Sequence, residues 1–225
     1  CTELTANFND LGDTTNYNVL PIEFTTPFPI TDGTNLNITT DDLWSPTVQL
    51  PFNFCFFGDN SQQVWVGSNG VITFSNPNAT FCEWDLDGLN IPNTAFPIRN
   101  AVYGPYQDIN PAPGANPSPH HIKYGVVGTA PCRAFVVNYY HIAQFSCNEN
   151  VGLQTSQIVL YETSNIIEVY VQNRTQCLTW PFNNGGQGVI GIQNTAGTQA
   201  FVPPGKNTLD NWSAQNEAFR FTPAG

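Results

Sequence analysis

Charged side chains are scarce in this sequence: Asp, Glu, Lys and Arg make up 10% of its 225 residues, against about 25% in ordinary domains. Six basic residues face 17 acidic ones, so the formal net charge is −11. A surface of this sign repels a phosphate backbone, which argues against nucleic-acid binding. The polar surface comes mainly from Asn, Thr, Ser and Gln, as is common on extracellular β proteins. The acidity favours solubility and leaves divalent-cation binding open.

Long apolar runs are missing as well. No stretch approaches the roughly 20 residues of a membrane-spanning helix, so we expect no membrane span. The six cysteines include no CxxC pair and are too dispersed for a zinc site. Their even number favours three disulfides formed in an oxidising compartment. Cys1 at the start of the chain also fits a lipid-anchored lipoprotein, although five thiols would then remain.

The segment 50–74 is typical of β-structure. Phe52, Phe54 and Phe56 are separated by single residues, and this period of two gives a strand one buried face. Residues 58–61 (GDNS) predict a turn, and Ser68-Asn69-Gly70 allows positive φ before the next apolar run. Helices do not show this pattern, so the segment predicts a pair of strands broken by a corner.

Further short strands are predicted along the rest of the chain. Roughly ten short, mostly antiparallel strands with turn signals between them favour an all-β fold, a single disulfide-stabilised β-sandwich over residues 1–225. Residues 1–45 are polar, and we expect their strand and loops to pack onto that core. Besides 50–74, the predicted strands are 17–24, 101–109, 122–127, 133–145, 157–162, 166–172, 189–193 and 217–222.

The order of these strands predicts the disulfide pairing. If 133–145, 157–162 and 166–172 form an antiparallel meander, Cys147 and Cys177 leave the sheet at the same end, within reach of a disulfide. Cys55 and Cys82 flank the strand that carries Trp65, which makes them predicted partners. Cys1 and Cys132 then remain as the third pair.

The sequence offers little support for a catalytic site, and we expect a protein that is not an enzyme. The three histidines, His120, His121 and His141, are not accompanied by a GxSxG elbow. Glycoside hydrolysis needs two carboxylates across a cleft. The candidate pairs for a hydrolase are Asp85 with Asp87 and Glu162 with Glu168, and sequence places no cleft between either pair.

Calcium is the cofactor that the acidic loops permit, and no other cofactor is expected. Calcium takes several oxygen ligands, and three short acidic motifs offer them. These motifs are Asp41-Asp42, Asp85-x-Asp87 and Asp108-x-Asn110. For each motif, turn capping is the alternative explanation. Asp108, at a strand end before Pro111, is the first to test.

Two tryptophans are candidate ligand contacts. Trp84 and Trp180 lie near cysteines in predicted loops, which favours exposure, and indole faces stack on sugar rings. Packing in the core is the alternative explanation. The chain also carries four sequences that fit the N-glycosylation acceptor pattern, at Asn37, Asn78, Asn173 and Asn211.

Several segments resemble a family of secreted proteins. Residues 66–74 (VGSNGVITF), 103–111 (YGPYQDINP) and 189–194 (VIGIQN), with 41–57, 124–136, 158–171 and 201–207, resemble in sequence and order the large surface proteins of gliding Bacteroidetes. The SNG strand pair, the aspartate-containing middle and the late VIGIQ strand are also similar to nidogen-like extracellular domains. The resemblance implies a β module of an adhesin exported by the type IX route and associated with gliding motility. It implies no catalytic residues, and the chain lacks the family's repeats and sorting domain.

Two binding hypotheses and one enzymatic hypothesis follow. The first is a non-catalytic adhesion or structural module at the bacterial cell surface. It would bind surface glycans or other cell-surface proteins, or assemble into a homo-oligomer or filament through exposed strand edges. The second is a carbohydrate-binding, lectin-like module, with calcium as a cofactor. The third is a hydrolase that uses the carboxylate pairs.

Overall fold

A computed structural model describes residues 13–117, 119–180 and 186–225. Three short 3-10 helices lie in this part of the chain, at Pro113–Ala115, Glu149–Val151 and Thr208–Asp210. Almost all of its other regular structure is strand. The fourteen strands of the described residues are β1 Tyr17–Ile22, β2 Thr34–Asn35, β3 Val48–Phe56, β4 Asp59–Gly67, β5 Val71–Thr73, β6 Ala101–Gln107, β7 Ile109–Asn110, β8 His121–Val127, β9 Ala134–Gln144, β10 Gln154–Tyr161, β11 Ile167–Arg174, β12 Gly188–Gln193, β13 Ala200–Phe201 and β14 Ala214–Pro223.

The strands form two antiparallel sheets. One has eight strands in the order β1-β14-β11-β10-β9-β8-β2, with β7 paired to β9, and the other has six in the order β13-β12-β6-β5-β4-β3. The predicted all-β class and the antiparallel meander β9-β10-β11 are confirmed. Strands β2, β7 and β13 were not predicted separately, because two residues are too few to show an alternating pattern.

The main core lies between the two sheets. In β3 every second residue is buried, and its phenylalanines face this core as the alternation predicts. The sheets approach each other closely at Gly104, where a Cβ atom would overlap the side chain of Ile158 in β10. A glycine is therefore required at this point of β6.

Loops cover the outer face of each sheet. Residues between β5 and β6, including Leu86, Ile91 and Phe96, pack on the outer face of the six-stranded sheet. The segment between β1 and β2 crosses the eight-stranded sheet, where Phe24 and Phe28 pack on β9 and β10. Because both outer faces are covered, the central strands are buried on both sides. No helix among the described residues is long and apolar enough to cross a membrane.

One predicted disulfide is present. Cys147 and Cys177 are bonded with a Cα–Cα distance of 5.7 Å, which confirms the pairing inferred from the meander. Cys132 lies exposed, and its predicted bond to Cys1 falls on a residue outside the described part of the chain.

The predicted pairing of Cys55 with Cys82 is wrong. Both are thiols in the described structure. Cys55 pairs with Asn60 beside the β3–β4 turn, whereas the Cys82 sulfur lies against Gly67 at the far end of β4. Seven residues of strand at about 3.3 Å each separate the two positions by about 23 Å, far beyond the roughly 4.4–6.8 Å that a disulfide allows.

Candidate functional site

An acidic cleft with aromatic walls lies where the two sheets meet at one end of the sandwich. Its volume is about 330 Å³. Three carboxylates and three aromatic rings line it: Asp41, Asp42, Asp108, Trp84, Phe145 and Trp180. We refer to it as the Asp–Trp cleft.

Asp108 enters the cleft because the chain changes sheets at this residue. It follows β6 of the six-stranded sheet and precedes β7, which pairs with β9 of the eight-stranded sheet. Its backbone carbonyl accepts the amide of Phe145, at 3.1 Å, just after β9 ends. The crossover therefore brings one carboxylate and one aromatic wall together.

Asp41 and Asp42 are brought to the same place by a short ladder. The backbone amide of Cys82 donates to the carbonyl of Asp42 at 2.8 Å, and Leu43 forms a bridge with Phe81. The amide of Ser68 donates to the carbonyl of Leu43 at 2.9 Å. These contacts anchor the two aspartates between the end of β4 and the loop that carries Trp84.

The three carboxylates form one cluster. Asp41, Asp42 and Asp108 each offer an oxygen, and these oxygens all lie within 4.8 Å of one another. Asp108 is almost completely buried, with 2% of its surface exposed. Oδ1 of Asp41 is buried and receives no hydrogen bond from any residue that the structure describes. Three acidic groups are thus held together with no basic side chain to neutralise them in the cleft lining.

Burial and mutual repulsion disfavour the ionised forms of these groups. The pKa of Asp108 is raised to about 8, first by burial and then by the charges of Asp42 and Asp41. The pKa of Asp41 is raised to about 7, first by burial and then by the charge of Asp42. Burial also raises the pKa of Asp42, against a hydrogen bond from Asn69 that lowers it. A cation in the cleft would relieve this repulsion.

The aromatic walls are coupled to one another and to the carboxylates. The ring centroids of Trp84 and Trp180 lie 6.3 Å apart at 53°, and Phe145 meets Trp180 edge-on at 4.9 Å. Nε1 of Trp180 donates a hydrogen bond to Oδ2 of Asp108 at 3.1 Å. The disulfide Cys147–Cys177 lies two residues after Phe145 and three before Trp180, so it ties together the segments that carry both rings.

The donor set suits a hard divalent cation. Calcium takes about six to eight oxygen ligands, and carboxylates are its usual protein ligands. Two of the three carboxylates are oriented by a hydrogen-bond donor, Asp42 by Asn69 and Asp108 by Trp180. Such outer contacts are typical of metal sites, because they hold the ligand oxygens in place. Oδ1 of Asp41 is buried without a hydrogen bond from the described residues, so a cation would supply the partner that this oxygen lacks.

The structure brings together several residues that the sequence singled out separately. Asp108, Trp84 and Trp180 line one cleft, and the Asp41-Asp42 motif joins them. Asp85 and Asp87 are not members of the three-carboxylate cluster; Oδ1 of Asp85 accepts the amide of Asp87 at 2.8 Å, as in a turn.

Asn110 also makes a turn contact. Its Oδ1 accepts the backbone amide of Ala112 at 2.8 Å. Asn110, Asp85 and Asp87 therefore fit turn capping, the alternative that their motifs left open.

The glutamates proposed for a hydrolase make structural ion pairs on the eight-stranded sheet. Glu162 pairs with Arg133 at 2.6 Å, and this hydrogen-bonded pairing lowers the pKa of Glu162 to about 2. Glu168 is buried and accepts hydrogen bonds from Tyr161, Tyr170 and Arg220. Neither lines the Asp–Trp cleft.

Two residues of the site were missed at the sequence level. Asn69 was interpreted only as part of a corner, although its side chain bonds Asp42 at 2.9 Å. Phe145 ends a predicted strand and carried no signal of exposure. The asparagine between Ser68 and Gly70 was the only available signal. It was not decisive, because turns also favour asparagine.

Residues 16–223 match a family model described as NIDO related. Comparison with curated proteins gave no match, and comparison with solved structures gave none.

Proposed function

The chain belongs to the NIDO-related family, and from that premise we propose that it is a non-catalytic extracellular module of the adhesion type. Its ligand site is the Asp–Trp cleft, which binds calcium and a saccharide together. The observation that carries this proposal is the meeting of three carboxylates and two tryptophans, drawn from distant parts of the chain, in one cleft.

Calcium would be held by Asp41, Asp42 and Asp108. With one oxygen from each residue, the three carboxylates supply fewer than the about six to eight oxygens that calcium requires, so coordination positions remain for water or for an external ligand. Vicinal hydroxyls of a sugar are oxygen donors of the required kind. The cation thus links the acidic floor of the cleft to a neutral ligand.

The tryptophans provide the apolar surface that a sugar ring needs. The centroids of Trp84 and Trp180 are 6.3 Å apart, less than the about 7–8 Å that two carbon–carbon contacts in series require. A sugar ring therefore cannot enter between the two indoles. It would instead lie against one indole face while its hydroxyls reach the carboxylate cluster.

Self-assembly through strand edges has less support. Of the four edge strands, β2 and β13 are two residues long, and β3 carries Pro51. Short edges and edge prolines oppose pairing between molecules. Surface glycans are accordingly the proposed partners, ahead of copies of the same chain.

The disulfide and the family are those of a secreted or surface protein. A location on a bacterial cell surface, export by the type IX route and a link to gliding motility rest on the sequence resemblance alone. Their test is immunodetection on intact cells, with and without a functional type IX system.

Calcium binding can be tested directly with two metal probes. Terbium luminescence excited through tryptophan should report Tb³⁺ beside Trp84 and Trp180, and calorimetry should report Ca²⁺. Asp108→Asn should abolish both signals. Asp59→Asn removes the same charge from an exposed position outside the cleft and should leave both unchanged. A wild-type protein that binds neither ion at millimolar concentration would contradict the calcium site.

Glycan binding is tested separately. The protein should be retained by a subset of a glycan array in calcium and be released by EDTA, and Trp84→Ala should lose that retention. If the protein binds calcium but is not retained on broad glycan arrays, the proposed saccharide binding is refuted and the proposed cation site stands.

A further inference from the structure

Asn69 is a fully enclosed polar residue beside the cleft. It lies in the corner between β4 and β5 and has no exposed surface. Its Nδ2 donates to Oδ1 of Asp42 at 2.9 Å and shares further contacts, at 3.3 Å each, with the carbonyls of Cys82 and Glu83. Its Oδ1 accepts the amide of Ile109 at 3.2 Å.

These partners belong to three separate segments, and each segment carries a residue of the cleft. Asp42 is itself in the carboxylate cluster, Glu83 precedes Trp84, and Ile109 follows Asp108. The backbone carbonyl of Asn69 also accepts the amide of Gln107 at 3.0 Å. One buried side chain thus joins every segment of the cleft except the two that the disulfide links.

The chemistry of the amide group explains why this position needs asparagine. The side chain must donate to a carboxylate and to two carbonyls and must also accept from an N–H group, all in a buried place. An asparagine amide has both donors and an acceptor on a short stem. Aspartate at this position would lack the N–H donors and would face Asp42 with a like charge. Alanine would leave four polar groups without the hydrogen bonds that Asn69 makes to them.

The corner that holds Asn69 is packed closely against β6. Gly70 has φ of +79°, and a Cβ atom there would overlap the carbonyl oxygen of Pro105 in β6. The amide of Gly104 donates to the carbonyl of Gly70 at 2.8 Å, so the corner is bonded to the strand that leads to Asp108. A side chain on an anchored element can hold its partners more precisely than one on a loose loop.

We infer that Asn69 is the positioning residue of the cation site, which sets Asp42 and Asp108 in one cluster by bonding both of their segments. This inference rests on the proposed calcium site. It assigns the site's assembly to the Ser68-Asn69-Gly70 corner and gives the corner a role beyond turning the chain.

The test compares two buried asparagines. Asn138 is also fully buried, and its Nδ2 bonds the carbonyls of Pro29 and Asp32 on the eight-stranded sheet, away from the cleft. Asn69→Ala and Asn138→Ala should both lower the melting temperature. Only Asn69→Ala should weaken Ca²⁺ and Tb³⁺ binding, by about tenfold or more as for other outer contacts of metal ligands. Equal affinity in Asn69→Ala and the wild type would overturn the inference.

Asn69→Asp separates positioning from charge. An added negative charge alone would tighten cation binding, whereas loss of the Nδ2 donors should weaken it. Tighter binding in Asn69→Asp would overturn the inference.

A metal-free measurement distinguishes failure of the inference from failure of the calcium site. Hydrogen exchange at the Ile109 amide should accelerate in Asn69→Ala, while amides of β11 keep their protection. Unchanged Ile109 exchange would overturn the inference whether or not the wild type binds calcium. A wild type without cation binding would refute the proposed function instead.

Discussion

Trp180 donates its indole N–H to the Asp108 carboxylate across a separation of 72 residues. The sequence singled out the two residues separately, Trp180 as an exposed aromatic side chain and Asp108 as a carboxylate at a strand end. Their contact makes them parts of one site. Because the bond is made to the charged form of Asp108, it opposes the burial that raises the pKa of this carboxyl.

The Trp180–Asp108 bond predicts the effect of Trp180→Phe. This variant keeps an aromatic wall but removes the N–H donor, so we expect calcium affinity to fall by about 10- to 100-fold, the usual effect of losing such a contact. Calorimetry with Ca²⁺ checks it. Trp65→Phe is the control, since Trp65 does not line the cleft, and similar losses in both variants would count against the role of this bond.

The carboxylate cluster predicts an unusual pH dependence of stability. The folded-state pKa values of Asp41 and Asp108, about 7 and about 8, lie above the unfolded value of 3.8. Between pH 4 and 8 these two groups therefore bind more protons in the folded state, and their contribution to the stability of the metal-free protein should fall as pH rises. His121 and His141, whose pKa values burial lowers, act in the opposite direction, and the two aspartates with their larger shifts should outweigh them. Urea unfolding in EDTA at pH 5 and pH 8 measures this.

Two comparisons make the pH prediction specific. Asp108→Asn should flatten the dependence by removing one of the three carboxyl groups whose pKa is raised. Calcium should be bound more tightly at pH 8 than at pH 5, since it displaces the protons. Glu162, with its pKa lowered to about 2, titrates below this window. A wild type that is equally stable at both pH values in EDTA would contradict the cluster's repulsion.

The disulfide should contribute to both stability and binding. Cys147 and Cys177 close a loop with a sequence separation of 30. Replacing both by serine should lower the free energy of unfolding by about 3–4 kcal/mol on the loop-entropy estimate. It should also weaken cation binding, because Phe145 and Trp180 flank the bond. Cys132→Ser changes an exposed cysteine that does not line the cleft and should leave cation binding unchanged.

Glu168 should matter for stability and not for binding. It is buried and accepts bonds from two tyrosines and Arg220. Glu168→Gln should cost about 1.5–3 kcal/mol, the range for hydrogen bonds to a charged group, and should leave Ca²⁺ affinity unchanged. Glu162 is less buried than Glu168, so Glu162→Gln should have a smaller effect on the melting temperature. Loss of calcium binding in Glu168→Gln would contradict this separation of stability from binding.

Local patterns accounted for much of the fold. The alternation in β3 and the turns of the β9-β10-β11 meander involve residues close in sequence, so their placement and the Cys147–Cys177 bond could be predicted. The failed pairing of Cys55 with Cys82 depended on where a long loop returns. That loop covers the six-stranded sheet and carries Cys82 to the far end of β4, and no periodicity encodes such a path.

The same distinction applies to the Ser68-Asn69-Gly70 corner. From sequence it is a turn, since asparagine and glycine both tolerate positive φ there. Whether the asparagine amide faces water or joins three buried segments depends on the surrounding loops, which lie tens of residues away along the chain.

The sequence by itself determined the class of structure, the acidic and sparsely charged surface, and a short set of candidate residues, because composition and strand periodicity are local properties. Only the tertiary structure decided which candidates act together. Asp41, Asp42, Asp108, Trp84 and Trp180 meet because the chain changes sheets at Asp108 and because the disulfide ties down the opposite wall. An aspartate that caps a turn and an aspartate that binds a cation are the same residue in the sequence. They differ only in the side chains that the fold places beside them.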